Sequence, residues 1–235
     1  MKVNIERLLE FFDEAPDGTS KHSTSLASMV GEDISAALFG HYLVNERGAT
    51  VDLLSETPTT GNRKGNWLDK WIKVDFPEGN QVLFQAEIKS WSAHATHGER
   101  LTKDADDETI RQYKIRHWQT FWDLDSNTFN LKWKSLAKVL TPMRRPTAIS
   151  DKYLQRPLLI YWMAIHPEGK QESYFCVQLG HPQTWRGAFP ELAVFSISSY
   201  LRTLHDKNIE LDLPNIHTRK TWLMDFFPEE GAGGG

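Results

Sequence analysis

At 235 residues, with 40% hydrophobic and 25% charged residues, the chain has an ordinary globular composition and enough length for a sizeable core. Its formal net charge of −4 excludes a wholesale attraction to nucleic acid, so any such binding needs a local basic surface. One cysteine, Cys176, excludes a disulfide framework and a cysteine zinc site, and no apolar run approaches the ~20 residues of a membrane span.

With no charged-then-apolar leader pattern at the N-terminus, these features predict a cytoplasmic protein away from the membrane. The nine tryptophans fit a packed core better than an aromatic binding surface.

In chain order, residues 3–13 space Val3, Ile5, Leu8, Leu9, Phe11 and Phe12 as a short amphipathic helix. Residues 24–45 predict a longer one, with Leu26, Met29, Val30, Ile34, Ala37, Leu38 and Tyr42 in an apolar stripe. Glu32 and Asp33 interrupt that helix, and Glu32 falls off the stripe. Residues 49–54 read as a strand, and 57–66 as a loop dense in breakers and basic residues, including Arg63 and Lys64. Residues 67–76 form a second strand with Leu68, Ile72 and Val74 on one face and Asp69, Trp71 and Asp75 on the other.

A turn at 77–80 then leads into 81–89, which pairs back as a hairpin. Beyond it, 106–122 is expected to be helical, with Ile115, Trp118 and Trp122 on one side and Gln112, Arg116 and Gln119 on the other. Residues 131–141 suggest a further short helix. An apolar run at 157–165 suits the centre of a sheet. Strands are predicted at 174–179 and 192–197, a short helix from Ser198, and a strand-rich stretch at the end of 209–227. The glycine-rich tail, 229–235, reads as flexible. Together these elements predict an α/β fold, a mixed central sheet flanked by helices.

The chemistry concentrates at 81–89. Val82, Phe84, Ala86 and Ile88 share one face, while Gln85, Glu87 and Lys89 share the other. Alone, Glu87 and Lys89 read as an ion pair on the surface of an edge strand. Hairpin pairing changes that, because it brings Asp69 level with Glu87. Two carboxylates and the backbone carbonyl of Ile88 suit Mg²⁺, a hard cation that keeps several waters. Lys89 could then orient or deprotonate a water, or neutralise charge on a phosphate. Asp75, the competing first acid, should lie near the turn and away from Glu87. Gln85 is a further participant on the same face and a candidate nucleic-acid contact, as are Arg63 and Lys64, whose loop is placed to hold a phosphate.

The order helix–strand–strand–strand–helix, carrying Glu32, Asp69 and Glu87-Ile88-Lys89, resembles the PD-(D/E)xK nuclease superfamily, the restriction-endonuclease-like fold. The resemblance covers about residues 24–122, with Leu68 where the motif's proline would stand. It implies one nuclease-like domain over 1–228, with 130–228 as elaboration of the core. It implies that Asp69 and Glu87 ligate Mg²⁺ or Mn²⁺, that Lys89 is the catalytic lysine, and that Glu32 is an accessory acid. The substrate it implies is nucleic acid, DNA before RNA, cut in restriction, repair or anti-phage defence by a homodimer or a subunit of a larger complex. Gln112, Arg116 and Gln119 would be nucleic-acid contacts from the flanking helix, or else a solvated face.

Two other classes stay open: a non-catalytic nucleic-acid-binding subunit on this fold, and a protein-interaction module. His94 and His97 lack a third metal ligand and read as a loop. Arg144-Arg145 reads as a basic turn with backbone-phosphate contact as the alternative. Ser196, Ser198 and Ser199 lack a nucleophile elbow, and 61–65 lacks a phosphate-loop ending.

Overall fold

The computed structural model describes residues 1–13, 21–54, 68–89, 105–122, 139–169, 172–178, 189–213 and 216. The basic loop with Arg63 and Lys64, His94 and His97, most of the expected helix at 131–141, the end of 209–227 and the tail lie outside the described residues. Strands are β1 (Lys2–Asn4), β2 (Thr50–Leu54), β3 (Lys70–Asp75), β4 (Gln81–Lys89), β5 (Leu154–Tyr161), β6 (Tyr174–Gln178), β7 (Glu191–Ser196) and β8 (Asn208–Glu210). Helices are α1 (Ile5–Asp13), α2 (Lys21–Arg47), α3 (Asp107–Trp122) and α4 (Ile197–Leu201).

Six strands form one mixed sheet in the order β2-β3-β4-β5-β7-β6. The β2, β3 and β4 strands run as an antiparallel meander, with β3 and β4 joined by the turn at Gly79. β4, β5 and β7 are mutually parallel, and β6 pairs antiparallel to β7 at the far edge. A parallel step needs a long crossover, and α3 occupies the one between β4 and β5. β1 and β8 pair separately, tying the first residues to Asn208–Glu210. The α/β architecture with a mixed sheet flanked by helices follows as expected.

The two faces of the sheet are covered by different helices. On the face of Val82, Phe84, Ala86 and Ile88, α2 buries Leu38, Phe39, Tyr42 and Leu43. Phe39 meets Phe84 edge-on at 5.6 Å between ring centroids and Phe195 at 5.1 Å. Burying such a ring contributes about 1.5–3 kcal/mol. The stripe read from sequence contains Leu38 and Tyr42 but not Phe39 or Leu43, both fully buried, because the sheet covers a wider arc of the helix than a single stripe. On the opposite face, α3 packs His117 on Tyr161 and Trp118 edge-on against Phe175. Trp71, Trp118 and Trp162 are all buried, as the core reading of the tryptophans expects.

With both faces covered, β4 is buried over seven consecutive residues, Val82 to Ile88. It is an inner strand between β3 and β5, not the edge strand that a surface Glu87–Lys89 pair would require. Among the described residues no helix is long and apolar enough to cross a membrane.

α2 lies close against Trp162, just past the end of β5, at Gly31. A Cβ there would stand 2.2 Å from Cζ2 of Trp162, whereas one at Gly40 would stand 3.6 Å from Val51, an ordinary contact. Gly31→Ala should therefore destabilise the protein by about 1–3 kcal/mol through overpacking. Gly40→Ala should be neutral or stabilising by up to about 1 kcal/mol, from the lower entropy cost of alanine in a helix. Chemical denaturation of the two variants side by side checks the contrast.

Candidate active site

The β3–β4 register decides which acids meet. Its last ladder pair is Lys70 opposite Ala86, so one further step sets Asp69 level with Glu87. Asp69 sits in the bend that enters β3, half-buried, and its Oδ2 accepts the Ile88 N–H at 2.7 Å. In an extended strand the N–H and C=O of one residue point to the same edge, so the Ile88 carbonyl also faces the Asp69 side. Two carboxylates and one carbonyl thus share a corner between β3 and β4.

Glu87 is 1% exposed, and Nζ of Lys89 donates to its Oε1 at 2.5 Å. A carboxylate so deeply placed is costly without an opposite charge, and the lysine supplies one. The position of Lys89 is set by its backbone, because its carbonyl accepts the N–H of Trp162, the residue just past the end of β5. Asp69 lies where β3 begins, and Glu87 and Lys89 lie where β4 ends. The site is therefore at the carboxyl end of the parallel strands β4, β5 and β7, where open α/β sheets bind ligands.

Asp75 pairs with Gln81 at the opposite end of the hairpin, beside the turn, as its parity and position predict. Gln81 and the Tyr153 hydroxyl both donate to it, and these bonds hold its carboxyl below the usual range. Glu32 is half-buried on α2, between Gly31, which abuts Trp162, and Asp33. That stretch of helix lies at the same end of the sheet as Lys89.

Sequence reasoning missed Lys70. Its side chain, 7% exposed, pairs with Asp33 of α2 at 3.4 Å. Lys70 has the parity of Ile72 and Val74, so this pair lies on the α2 face, behind Asp69. A lysine inside an apolar parity was the available signal, since it demands a buried partner.

Gln85 requires a correction. Expected as a nucleic-acid contact, it is fully buried. Its amide donates to the carbonyls of Val139 and Thr141 and accepts from the Met143 N–H and from Gln155. With no polar atom left for a ligand, Gln85 pins the 139–143 segment across the sheet face one pleat from Glu87. Gln112, Arg116 and Gln119 are exposed on one face of α3, where with Arg111 and Glu168 they line an open groove of about 380 Å³. Gln112 also donates to Glu108.

Among the described residues no three His, Cys, Asp or Glu side chains gather into a metal-holding group. The corner offers two carboxylates and a carbonyl, a donor set that fits Mg²⁺, which commonly takes one or two carboxylates and keeps waters for the rest. Comparison with family models, with curated proteins and with solved structures returns no match.

Because Asp75 is more acidic in the folded protein than in the unfolded chain, it contributes stability at pH values above its ordinary pKa. That stability is lost as the pH falls through its folded value. Between about pH 5 and about pH 2.5, wild type should therefore lose more thermal stability than Asp75→Asn, measured by melting in matched buffers.

Proposed function

We propose that the chain is a metal-dependent nuclease of the restriction-endonuclease-like type, hydrolysing phosphodiester bonds in nucleic acid and acting on DNA before RNA. The observation that carries this reading is the register that sets Asp69 level with Glu87, with Lys89 held against Glu87 at 2.5 Å. The element order α2, β2, β3, β4, α3 supports it, since that order underlies the resemblance to the PD-(D/E)xK superfamily. So does burial: a buried Glu87 facing Asp69 at a strand end has no evident use as a solubilising surface charge.

Asp69, Glu87 and the Ile88 carbonyl would hold Mg²⁺ or Mn²⁺. When bound, the cation would supply charge neutralisation at a non-bridging phosphate oxygen and a more acidic water. The chain's own residues do the remainder. Lys89 presents its ammonium to the attacking water or to charge growing on the phosphate. Hydrolysis breaks one P–O ester bond and places the water oxygen on phosphorus, while the leaving oxygen takes up a proton. Glu32, on the helix behind, is suited to orient water as an accessory acid. The exposed Gln112, Arg116 and Gln119 suit backbone contact.

Incubation of the protein with plasmid DNA, linear DNA and single-stranded RNA should give cleavage in Mg²⁺ and none in EDTA. Lys89→Ala should lower the rate by at least about 100-fold, the lower range for loss of a proton-transfer or charge-stabilising group. Asp75→Asn, at the opposite end of the hairpin, should still cut in Mg²⁺, because it leaves the acidic corner intact. Cleavage by Lys89→Ala at the wild-type rate would refute the assignment.

A further inference from the structure

The segment pinned by Gln85 has a use that the acidic corner does not explain. Residues 139–153 cross the sheet face that carries Glu87, fastened at Val139, Thr141 and Met143 by Gln85 and again at Met143 by Gln155. The strap then turns outward and carries Arg144, Arg145 and Lys152, with Arg144 and Lys152 exposed. Lys73 joins them from β3, where it has the same parity as Trp71 and Asp69. It lies four residues beyond Asp69, about 13 Å along the strand.

Tyr153 gathers the two lysines. Its ring has Nζ of Lys73 and Nζ of Lys152 each 5.5 Å from its centroid, and its hydroxyl is fixed by Asp75. Arg145 is braced by the Ser150 carbonyl and lies 3.5 Å from Asp151. Other arginines of the fold are spent on carboxylates: Arg7 on Glu10, Arg111 on Glu108, Arg156 on Glu191. Among the described residues, Arg144, Lys152 and Lys73 make no ion pair within 4 Å. Four cations against Asp75, Asp151 and Asp52, the last opposite Lys73 on β2, leave this ledge a net charge of +1 in a chain of −4. It is the local basic surface that an acidic protein needs to hold a polyanion.

We propose that strap 139–153 and Lys73 form a docking ledge for the phosphodiester backbone of a nucleic-acid strand, leading to the Asp69–Glu87–Lys89 corner. The ledge rests on the reading of that corner as a phosphodiesterase site. Its spacing suits it: the strap runs from Gln85, one pleat from Glu87, to Asp75 at the turn end, so a strand lying on the ledge brings a phosphate a few nucleotides further along to the corner. Gln85 and Gln155 are positioning residues that keep the strap, and so the cations, at that distance.

The test is fluorescence anisotropy with labelled single-stranded and duplex DNA and RNA of equal length, in EDTA over a salt titration. Working in EDTA reads binding without cleavage, so failure of the ledge and failure of the nuclease reading are separable. Arg144→Ala/Lys152→Ala should bind about tenfold more weakly, with the salt slope reduced by about 1.5–2, as expected for two lost phosphate contacts. Asp151→Asn, which removes a fully exposed acid beside Arg145, should bind several-fold more tightly, an outcome that misfolding cannot imitate. The DNA and RNA arms identify which backbone is held. Unchanged affinity and salt slope in the double variant would overturn the proposal, as would weaker binding by Asp151→Asn or no binding by wild type.

Discussion

The arrangement depends on keeping a carboxylate inside a sheet. Glu87 belongs to an inner strand, with α2 covering one face of the sheet and α3 the other, and it is 1% exposed. An isolated charge there would be costly enough to favour the neutral acid or an apolar replacement. Lys89, two residues on and so on the same face, offsets that cost within hydrogen-bond distance. Because β4 ends at Lys89, the pair sits at the rim of the sheet, where a ligand can reach a charge that would otherwise be inaccessible. Asp69 is brought to the same rim by the antiparallel register, and its bond to the Ile88 N–H anchors it.

The rim is held from behind by α2. Gly31 lets that helix lie directly on Trp162, whose backbone N–H in turn bonds Lys89. The Lys70–Asp33 pair fastens the start of β3 to the same helix, next to Asp69 in sequence. A buried pair is weak evidence of net stability, but breaking one partner strands the other, so it fixes register strongly. On the other face, Gln85 and Gln155 do by hydrogen bonding what Asp33 and Lys70 do by charge. The acidic corner is thus braced from both sides by polar groups bonded to the protein itself.

Much of this was legible in the sequence because strand parity and turn chemistry are local. The span of β4 and the alternation of Glu87 and Lys89 against Ile88 could be read directly. The hairpin turn then placed Asp69 opposite Glu87 and sent Asp75 to the far end. What could not be read was set by distant partners. Gln85 looked available on the same face because nothing local announces that the 139–143 segment, more than fifty residues later, covers it. The role of Lys70 depended on the rotation of α2, which also decided that Phe39 and Leu43 would be buried. That β4 is an inner strand depended on β5 arriving in parallel after a long crossover, a non-local pairing with no signature in the hairpin itself.

The central claim is that Asp69 and Glu87 form a cation site, and binding of the metal alone tests it most directly. Isothermal titration of Mn²⁺ into wild type, Asp69→Asn, Glu87→Gln and Asp75→Asn should give one site in wild type and in Asp75→Asn. Affinity should fall at least about tenfold in the other two, the change expected on removing one charged ligand. Equal Mn²⁺ binding by all four proteins would contradict the account.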